Sequence, residues 1–587
     1  MKIRLFLAKL IMFFACSYST TAASPVETQI FDLQAAINEA IKEKERVLEL
    51  PEGRLLVEPI EISEASHLTI RGENTELVFT SYTNSLIKVT RSSHVTLEGF
   101  TIDCNPLPFT QGVVTSISED HRTLEYKVLD GYPELDDTIK PGRHGVFVYD
   151  PKTLFWRSNV PDLYLESSEV LSPKKGKFRI STPNLPGYQN IEIGDYLAFK
   201  HFIGAGIGVH DSERIDLKDL TVYTCPGAGM IYRRGVGAPH ITNCTIKPGP
   251  PPQGAIVPRL LSTTADGFNI AYTRQGPIME DCDFSYMGDD AINLHGTIVN
   301  VGFKESETVY WTSSKFWPEY SISLQAGDIA QFMQRDSYQI LAEVPIKSAK
   351  RETPPESVDF SIRKQLGLDD DQKLYCVRIE LEDPVEAQAG DHLGFPSVAS
   401  PDFVFRSNYF HDHRARGLRI GASHGLIENN TFERIKQTGI SLGPHAIHHE
   451  GNWVQDITVR GNTFKNIGFD DRVFESGSYQ GGAIVVQHFL PNKNVEYSQG
   501  NRNITIENNT IWNTGAAGIL AISADELIIR SNLIGQTQQL NTKGVGSRMR
   551  LQCNGAISLN HCTNVVLEDN RFGPFGPFCK NEVVRNP

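Results

Sequence analysis

The chain has 587 residues, 40% hydrophobic and 21% charged, with 48 glycines and 32 prolines, which excludes a disulfide-stapled mini-protein, global disorder and a collagen pattern. Its 56 Lys and Arg against 70 Asp and Glu give a net charge of -14, so it lacks the broad basic surface needed to bind a phosphate backbone, and no nucleic acid partner is expected. What remains is a turn-rich globular protein of roughly four domains at about 150 residues each, or one repetitive body with insertions.

Residues 1–23 carry Lys2, Arg4 and Lys9, then the apolar Leu10 to Ala15, then Thr21-Ala22-Ala23. That order reads as a signal peptide, with a mature chain from near Ser24 that is secreted or periplasmic. The apolar run is shorter than the roughly 18 residues of a bilayer span, and no later segment is longer, so no membrane span is expected.

Residues 24–111 open with Leu33, Ile37 and Ile41 at every fourth position, which predicts an amphipathic helix capping the open first coil of a solenoid. Val47 to Gly53 reads as an entry strand and turn, and short strands follow at His67 to Ile70, Leu77 to Phe79 and His94 to Ile102. Residues 112–199 change to ordinary alternating strands, such as Leu124 to Val128 and Gly145 to Tyr149, and residues 300–400 do so again at Val309 to Trp311 and Leu374 to Glu380. Both are expected to be inserted β-barrel-like modules, because loops of that length without structure of their own are rare.

Residues 200–299 and 401–587 carry the coils. Strand-type runs close on Asn at Asn408, Asn430, Asn509 and Asn532; the first two are 22 residues apart and the last two 23. That is one turn of a coil with three short strands, and the longer gaps around Asn462, 32 and 47 residues, mark insertions on one side. Stacked Asn side chains that bond the next coil give the period a structural cause, whereas a glycosylation reading of Asn429, Asn503 and Asn508 needs no such register. The expected fold class is all-β, a parallel β-helix (solenoid) with two inserted β-barrel-like modules and an N-terminal capping helix.

Eight cysteines follow the signal, with no Cys-x-x-Cys among them. Structural zinc is therefore not expected, and the residues read as scattered thiols with one bridge, Cys553 with Cys562 or either with Cys579.

The chemistry concentrates in Thr263-Thr264-Ala265-Asp266-Gly267-Phe268-Asn269-Ile270 and Met287-Gly288-Asp289-Asp290-Ala291-Ile292-Asn293-Leu294-His295-Gly296. Asp266 and Asp289 are 23 residues apart, one coil, so with neighbouring strands about 4.8 Å apart Asp266 should stack beneath the Asp289-Asp290 pair. Like charges that close cannot all ionise, which yields a protonated acid beside an ionised base, the pairing glycoside hydrolysis requires. Asp-Gly and Gly-Asp-Asp are also turn formers in their own right, and calcium is a rival use of the same oxygens, but no run of alternating Asp ligands accompanies them. No metal or cofactor is expected.

Asn293 and His295 follow the pair closely, and the aromatics Phe268, Tyr272 and Tyr286 flank it. Downstream, Arg414 and Arg416 share a face if extended and offer a fork of donors to sugar hydroxyls or a sulfate. His445, His448, His449 and Glu450 read as a loop lining the site, and Trp453, ahead of Trp311 and Trp317, as a sugar-stacking platform.

With these residues in view the chain resembles glycoside hydrolase family 110, exo-acting α-1,3-galactosidases built on a right-handed parallel β-helix interrupted by β-barrel domains. The likeness is sharpest from Arg259 to Asp266, from Asp289 to Thr297, and in Arg414-Ala415-Arg416-Gly417 leading to Ile427 to Phe432. Thr264-Ala265-Asp266-Gly267 and Gly288-Asp289-Asp290 are also similar, more distantly, to the polygalacturonases, whose Gly-His-Gly and Arg-Ile-Lys are absent here. Both families are inverting, which implies that Asp289 donates the proton while Asp266 and Asp290 hold and deprotonate the water. The function expected is an exported inverting exo-glycosidase that removes terminal α-linked galactose-type residues from an oligo- or polysaccharide substrate. The alternatives are a polysaccharide lyase or polygalacturonase-like hydrolase on an anionic polysaccharide, and a non-catalytic glycan-binding β-helix.

Overall fold

The computed structural model describes residues 30–586 apart from 143–144, 159, 161, 182–186, 201–203, 315–317, 446–447, 470–480, 488–498 and 542–552. The expected signal at residues 1–23 therefore lies outside the described residues. Among those residues, no helix is long and apolar enough to cross a membrane.

The chain winds through three parallel sheets of 12 strands each, and every coil gives one strand to each sheet. Inward side chains stack in columns, such as Leu217, Ile241, Met279, Phe405, Ile427 and Val459, all buried. Another column runs Phe284, Phe410, Phe432 and Phe464, with the last two rings parallel and 4.8 Å apart. Strands this short have little stability alone, so burial of these columns between coils is what holds each turn in place.

The Asn period is a hydrogen-bond ladder. Asn408, Asn430, Asn462, Asn509 and Asn532 each donate from Nδ2 to Oδ1 of the next Asn, at 2.9–3.0 Å, ending on Asn570. Each Nδ2 also reaches a backbone carbonyl of the coil below, so no amide atom is left unmet in the dry turn. The residue before each ladder position has positive φ, as at Asn429, Gly461, Asn508 and Ser531. Paired Asn-Asn is thus one left-handed turn residue followed by one ladder residue. Further down the solenoid the ladder position is taken by Cys244 and Cys282; the Cys282 N–H donates to Asn408 Oδ1.

The cysteine expectation is corrected: all eight described cysteines are free. Cys562 and Cys579 turn their thiols to the carbonyls of Asn560 and Asn581, and Cys553 is buried elsewhere. Helix α1 (Leu33–Glu43), capped by Asp32 accepting from the Ala35 N–H, buries Leu33, Ile37 and Ala40 on the first coil.

The first insertion is a six-stranded antiparallel sheet whose strands run from Phe109 to Lys200, and its two outer strands meet through the Val146–Leu163 bridge. It docks on the coil through Leu260 and Leu261, and Arg259 makes a buried two-point bond to Asp103 at 2.7 and 2.9 Å. The second insertion is a closed six-stranded barrel between Ile298 and Gly394. Within it Glu356–Leu366 is helical, where strands alone were expected; Val358 and Ile362, one turn apart, are its buried face.

Asn462→Ala strips the Asn430 N–H and the Ile427 carbonyl of their partners inside the turn. The expected loss is about 2–4 kcal/mol in a denaturant titration. A loss below 1 kcal/mol would mean the ladder is ornamental.

Candidate active site

Four neighbouring strands carry the site: β1 (Ala228–Arg233), β2 (Phe268–Ala271), β3 (Ile292–His295) and β4 (Leu418–Gly421). Alternation sends Phe268, Ile292 and Leu418 inward, so Phe268 is core rather than a flank of the site. Outward, Asn269, Asn293 and Arg419 form one row, and Arg233, Ala271, His295 and Gly421 the next.

The carboxylates lie in the turns that lead into β2 and β3. Phe268 pairs with Ile292, 24 residues on, so Asp266 stands beneath Asp290 and the expected 23-residue storey is one longer. The Asp290 N–H donates to Asp266 Oδ1 at 3.2 Å, and the Asp289 N–H to the Ala265 carbonyl. A bend before β3 lets both members of the pair leave the strand plane. Gly288 allows it, since a Cβ there would lie 2.6 Å from the Thr264 carbonyl oxygen. Each of the three side chains offers an oxygen within 4.8 Å of the others.

Their partners separate them. Arg416 grips Asp290 at two points, Nε to Oδ1 at 2.8 Å and Nη2 to Oδ2 at 2.9 Å, and adds its backbone N–H. Although burial opposes it, this hold keeps the Asp290 carboxyl below the usual carboxylate range. Arg414 donates to Asp289 Oδ1 at 3.0 Å and to the Gly288 carbonyl, bonds Asp162 of the first insertion, and lies 5.1 Å over the Phe147 ring. Asp289 stands open, its side chain 47% exposed, yet the protein packed around it and the Asp290 charge raise its carboxyl against the pull of Arg414. Asp266 has no guanidinium of its own; it accepts from Asn269 Nδ2 at 2.7 Å. Burial, then the charges of Asp289 and Asp290, push its carboxyl well above the ordinary value.

The arginines were expected to serve a substrate directly; instead both forks are spent on carboxylates. The oxygen cluster is tight enough to chelate a cation, but Arg416 takes both Asp290 oxygens and Arg414 takes one of Asp289, so guanidinium supplies the positive charge calcium would bring. Trp453 is also corrected. It is 1% exposed, packs with Ile298, Met333 and Tyr338 between coil and barrel, and donates to the Tyr338 carbonyl at 3.1 Å, so it offers no face to a sugar. Trp311 is buried under the barrel's helix, and Trp317 lies outside the described residues.

A cavity of about 460 Å³ adjoins the carboxylates through Asn269, walled by Arg233, Tyr272, His295, His448 and Glu450 on the coil side and by barrel residues such as Asn300 and Tyr320. His295 Nδ1–H donates to the Gly296 carbonyl at 2.7 Å, and burial drives its pKa down to about 4, so it is neutral. Glu450 meets Arg419 at 2.5 Å and Asn293 at 3.5 Å; although burial opposes it, the Arg419 guanidinium holds its carboxyl low. Sequence reasoning missed Arg233 and Asn269. Arg233 donates to Asn269 Oδ1 at 2.6 Å, which fixes the amide so that its Nδ2 faces Asp266. Asn269 had a signal, the outward register it shares with Asn293; Arg233 and Asp162 had none, since the coil after Arg233 is lengthened to 38 residues and Asp162 lies within the first insertion.

Sign decides how these charges act on stability. Asp290, held low, contributes stability that is present above the unfolded value of about 3.9 and lost as pH falls through its folded one; Asp266, held high, costs stability once pH rises above that unfolded value. At pH 7, Asp290→Asn should therefore lose about 3–5 kcal/mol by leaving Arg416 unpaired, while Asp266→Asn holds or gains stability. Denaturant midpoints for the two variants check this, and the reverse ranking would refute it.

Known proteins supply the comparison. A family model described as "Right handed beta helix region" matches residues 387–534. Alpha-1,3-galactosidase A of Bacteroides fragilis is 22% identical over 458 residues, 76% of this chain and 68% of that one. Alpha-1,3-galactosidase B of Akkermansia muciniphila is 23% identical over 399 residues, 66% of this chain but 44% of its own length. A solved exopolygalacturonase from Thermotoga maritima overlays loosely, at a TM-score of 0.37 and 10% identity, over 91% of this chain and 87% of that one. The chain thus resembles the α-1,3-galactosidases over most of its length, as its motifs imply.

Proposed function

We propose that the protein is an exported glycoside hydrolase that removes a terminal α-1,3-linked galactose-type residue from a glycan by single displacement with inversion. The observation that carries the reading is three carboxylates within 4.8 Å that are unequally partnered: Arg416 takes both oxygens of Asp290, Arg414 one of Asp289, and Asp266 meets the Asn269 amide. The linkage and the sugar come from the named relatives. The cavity beside the trio, closed on one side by the barrel, suits a single terminal unit and supports exo-action.

Asp266 and Asp289, both raised, share the proton that Asp290 does not take. Asp289, the open one, delivers it to the leaving oxygen as the bond from the anomeric carbon breaks. Water held by Asp266 and Asp290 attacks that carbon from the other face and gives its proton to this pair. Arg414, Arg416 and Arg419 each hold a protein carboxylate, so they are committed where a uronate or sulfate would need them, which favours a neutral sugar over the anionic-polysaccharide readings. The short carboxylate spacing also suits the about 5 Å of retaining enzymes, so stereochemistry is the sharper test.

Following an α-galactoside digest by NMR, the first sugar to appear should be the β-anomer; early α-anomer means double displacement and removes inversion. Asp289→Asn should lower kcat at least about 100-fold, the low end of general acid catalysis. Arg416→Lys breaks the two-point hold on Asp290, so its pKa rises and the acidic limb of kcat/KM moves to higher pH. An unmoved limb would remove Asp290 as the ionised partner.

A further inference from the structure

Each coil at the site runs from a strand of one sheet, through the turn with the carboxylates, into β3 or β4. Tyr286 and Asp412 lie before that turn, Asp289, Asp290, Arg414 and Arg416 within it, and Asn293, His295 and Arg419 after it. The barrel-walled cavity lies on the far side, against Asn269 and His295. On the near side is a second hollow of about 810 Å³, between Tyr286, Asp412 and Arg434 of the coil and residues 150–158 and 189–192 of the first insertion. Along the chain, the turn with the carboxylates thus lies between residues that line one hollow and residues that line the other, and each hollow is walled by a different insertion.

The first insertion is tied to the chemistry at three points. Asp162 bonds Arg414, which also holds Asp289; Phe147 lies under the same guanidinium; and Lys436 Nζ donates to the Val160 carbonyl at 3.0 Å. In the wall of the second hollow every charged side chain has an opposite partner, and the acids outnumber the arginines by one. Arg434 takes both oxygens of Asp412 at 2.5 and 2.7 Å, and Arg157 meets Asp150, Glu192 and Asp195. Beyond these pairs the wall offers, among others, the half-buried rings of Phe155 and Tyr286 and the exposed amides of Gln189 and Asn190. With both arginines bound to carboxylates and the small excess of charge negative, the wall repels an anionic ligand, and its rings and amides fit a neutral, hydroxyl-rich one.

We propose that this second hollow holds the leaving-group part of a neutral glycan, so that the first insertion selects what the terminal sugar is attached to. The inference rests on the hydrolase reading and names the other half of its substrate. Its test compares kcat/KM on an aryl α-galactoside with that on a trisaccharide ending in α-1,3-galactose, for the wild type and for Phe155→Ala with Gln189→Ala. The expected result is that the preference for the trisaccharide falls at least tenfold. A misfolded or generally weakened enzyme would lose both rates together, and an unchanged preference overturns the proposal while the hydrolase reading stands. If the wild type cleaves neither substrate, that reading fails. Calorimetric titration of Asp289→Asn with the trisaccharide then decides the inference: tenfold weaker binding on adding the two substitutions supports it, and equal or no binding overturns it.

Discussion

Parallel pairing between successive coils sets each side chain above its counterpart at about 4.8 Å, and every other feature of the molecule follows from that pitch. It stacks apolar side chains into continuous columns, which is why strands of three to six residues suffice. It puts one Asn amide in reach of the next, which locks the turn between two of the sheets. It also forces any polar residue on the outer face of one coil to meet whatever stands on the coils above and below.

The carboxylates show what that enforced meeting does. Asp266 and Asp290 are in register, with Arg416 the next residue up, so the column reads carboxyl, carboxylate, guanidinium. The guanidinium settles which carboxylate is ionised, and the remaining one takes the cost of burial beside a negative charge. Asp289 escapes the column because the bend at Gly288 turns it outward, where Arg414 meets it. Three identical side chains thus acquire three environments from one bend and two arginines, and proton transfer needs that inequality.

The insertions use the solenoid as a rigid floor. The barrel buries Trp453 and closes one side of the cavity at β2 and β3. The antiparallel sheet reaches the opposite side of the turn and contributes Asp162 to Arg414. Loops from a solenoid end free in solvent unless they carry their own core, and both of these do.

Periodicity made the solenoid legible from the chain alone. Asn at 22 or 23 residues, apolar residues alternating within short runs, and an amphipathic run at Leu33 to Ile41 are local signals with one physical reading each. The acids at 266, 289 and 290 were legible for the same reason, as a coil-length spacing between turns. Partners were not. Arg414 and Arg416 read as substrate ligands, Trp453 as a platform and Cys553 as half of a bridge, because nothing local says what a side chain faces. Arg233 and Asn269, 36 residues apart, and Asp162 and Arg414, 252 apart, meet only once insertions of irregular length have folded. Sequence by itself determined the repeat, since each coil must bury the same pattern. The tertiary structure alone decided which carboxyl keeps its proton, because that depends on charges brought close from distant parts of the chain.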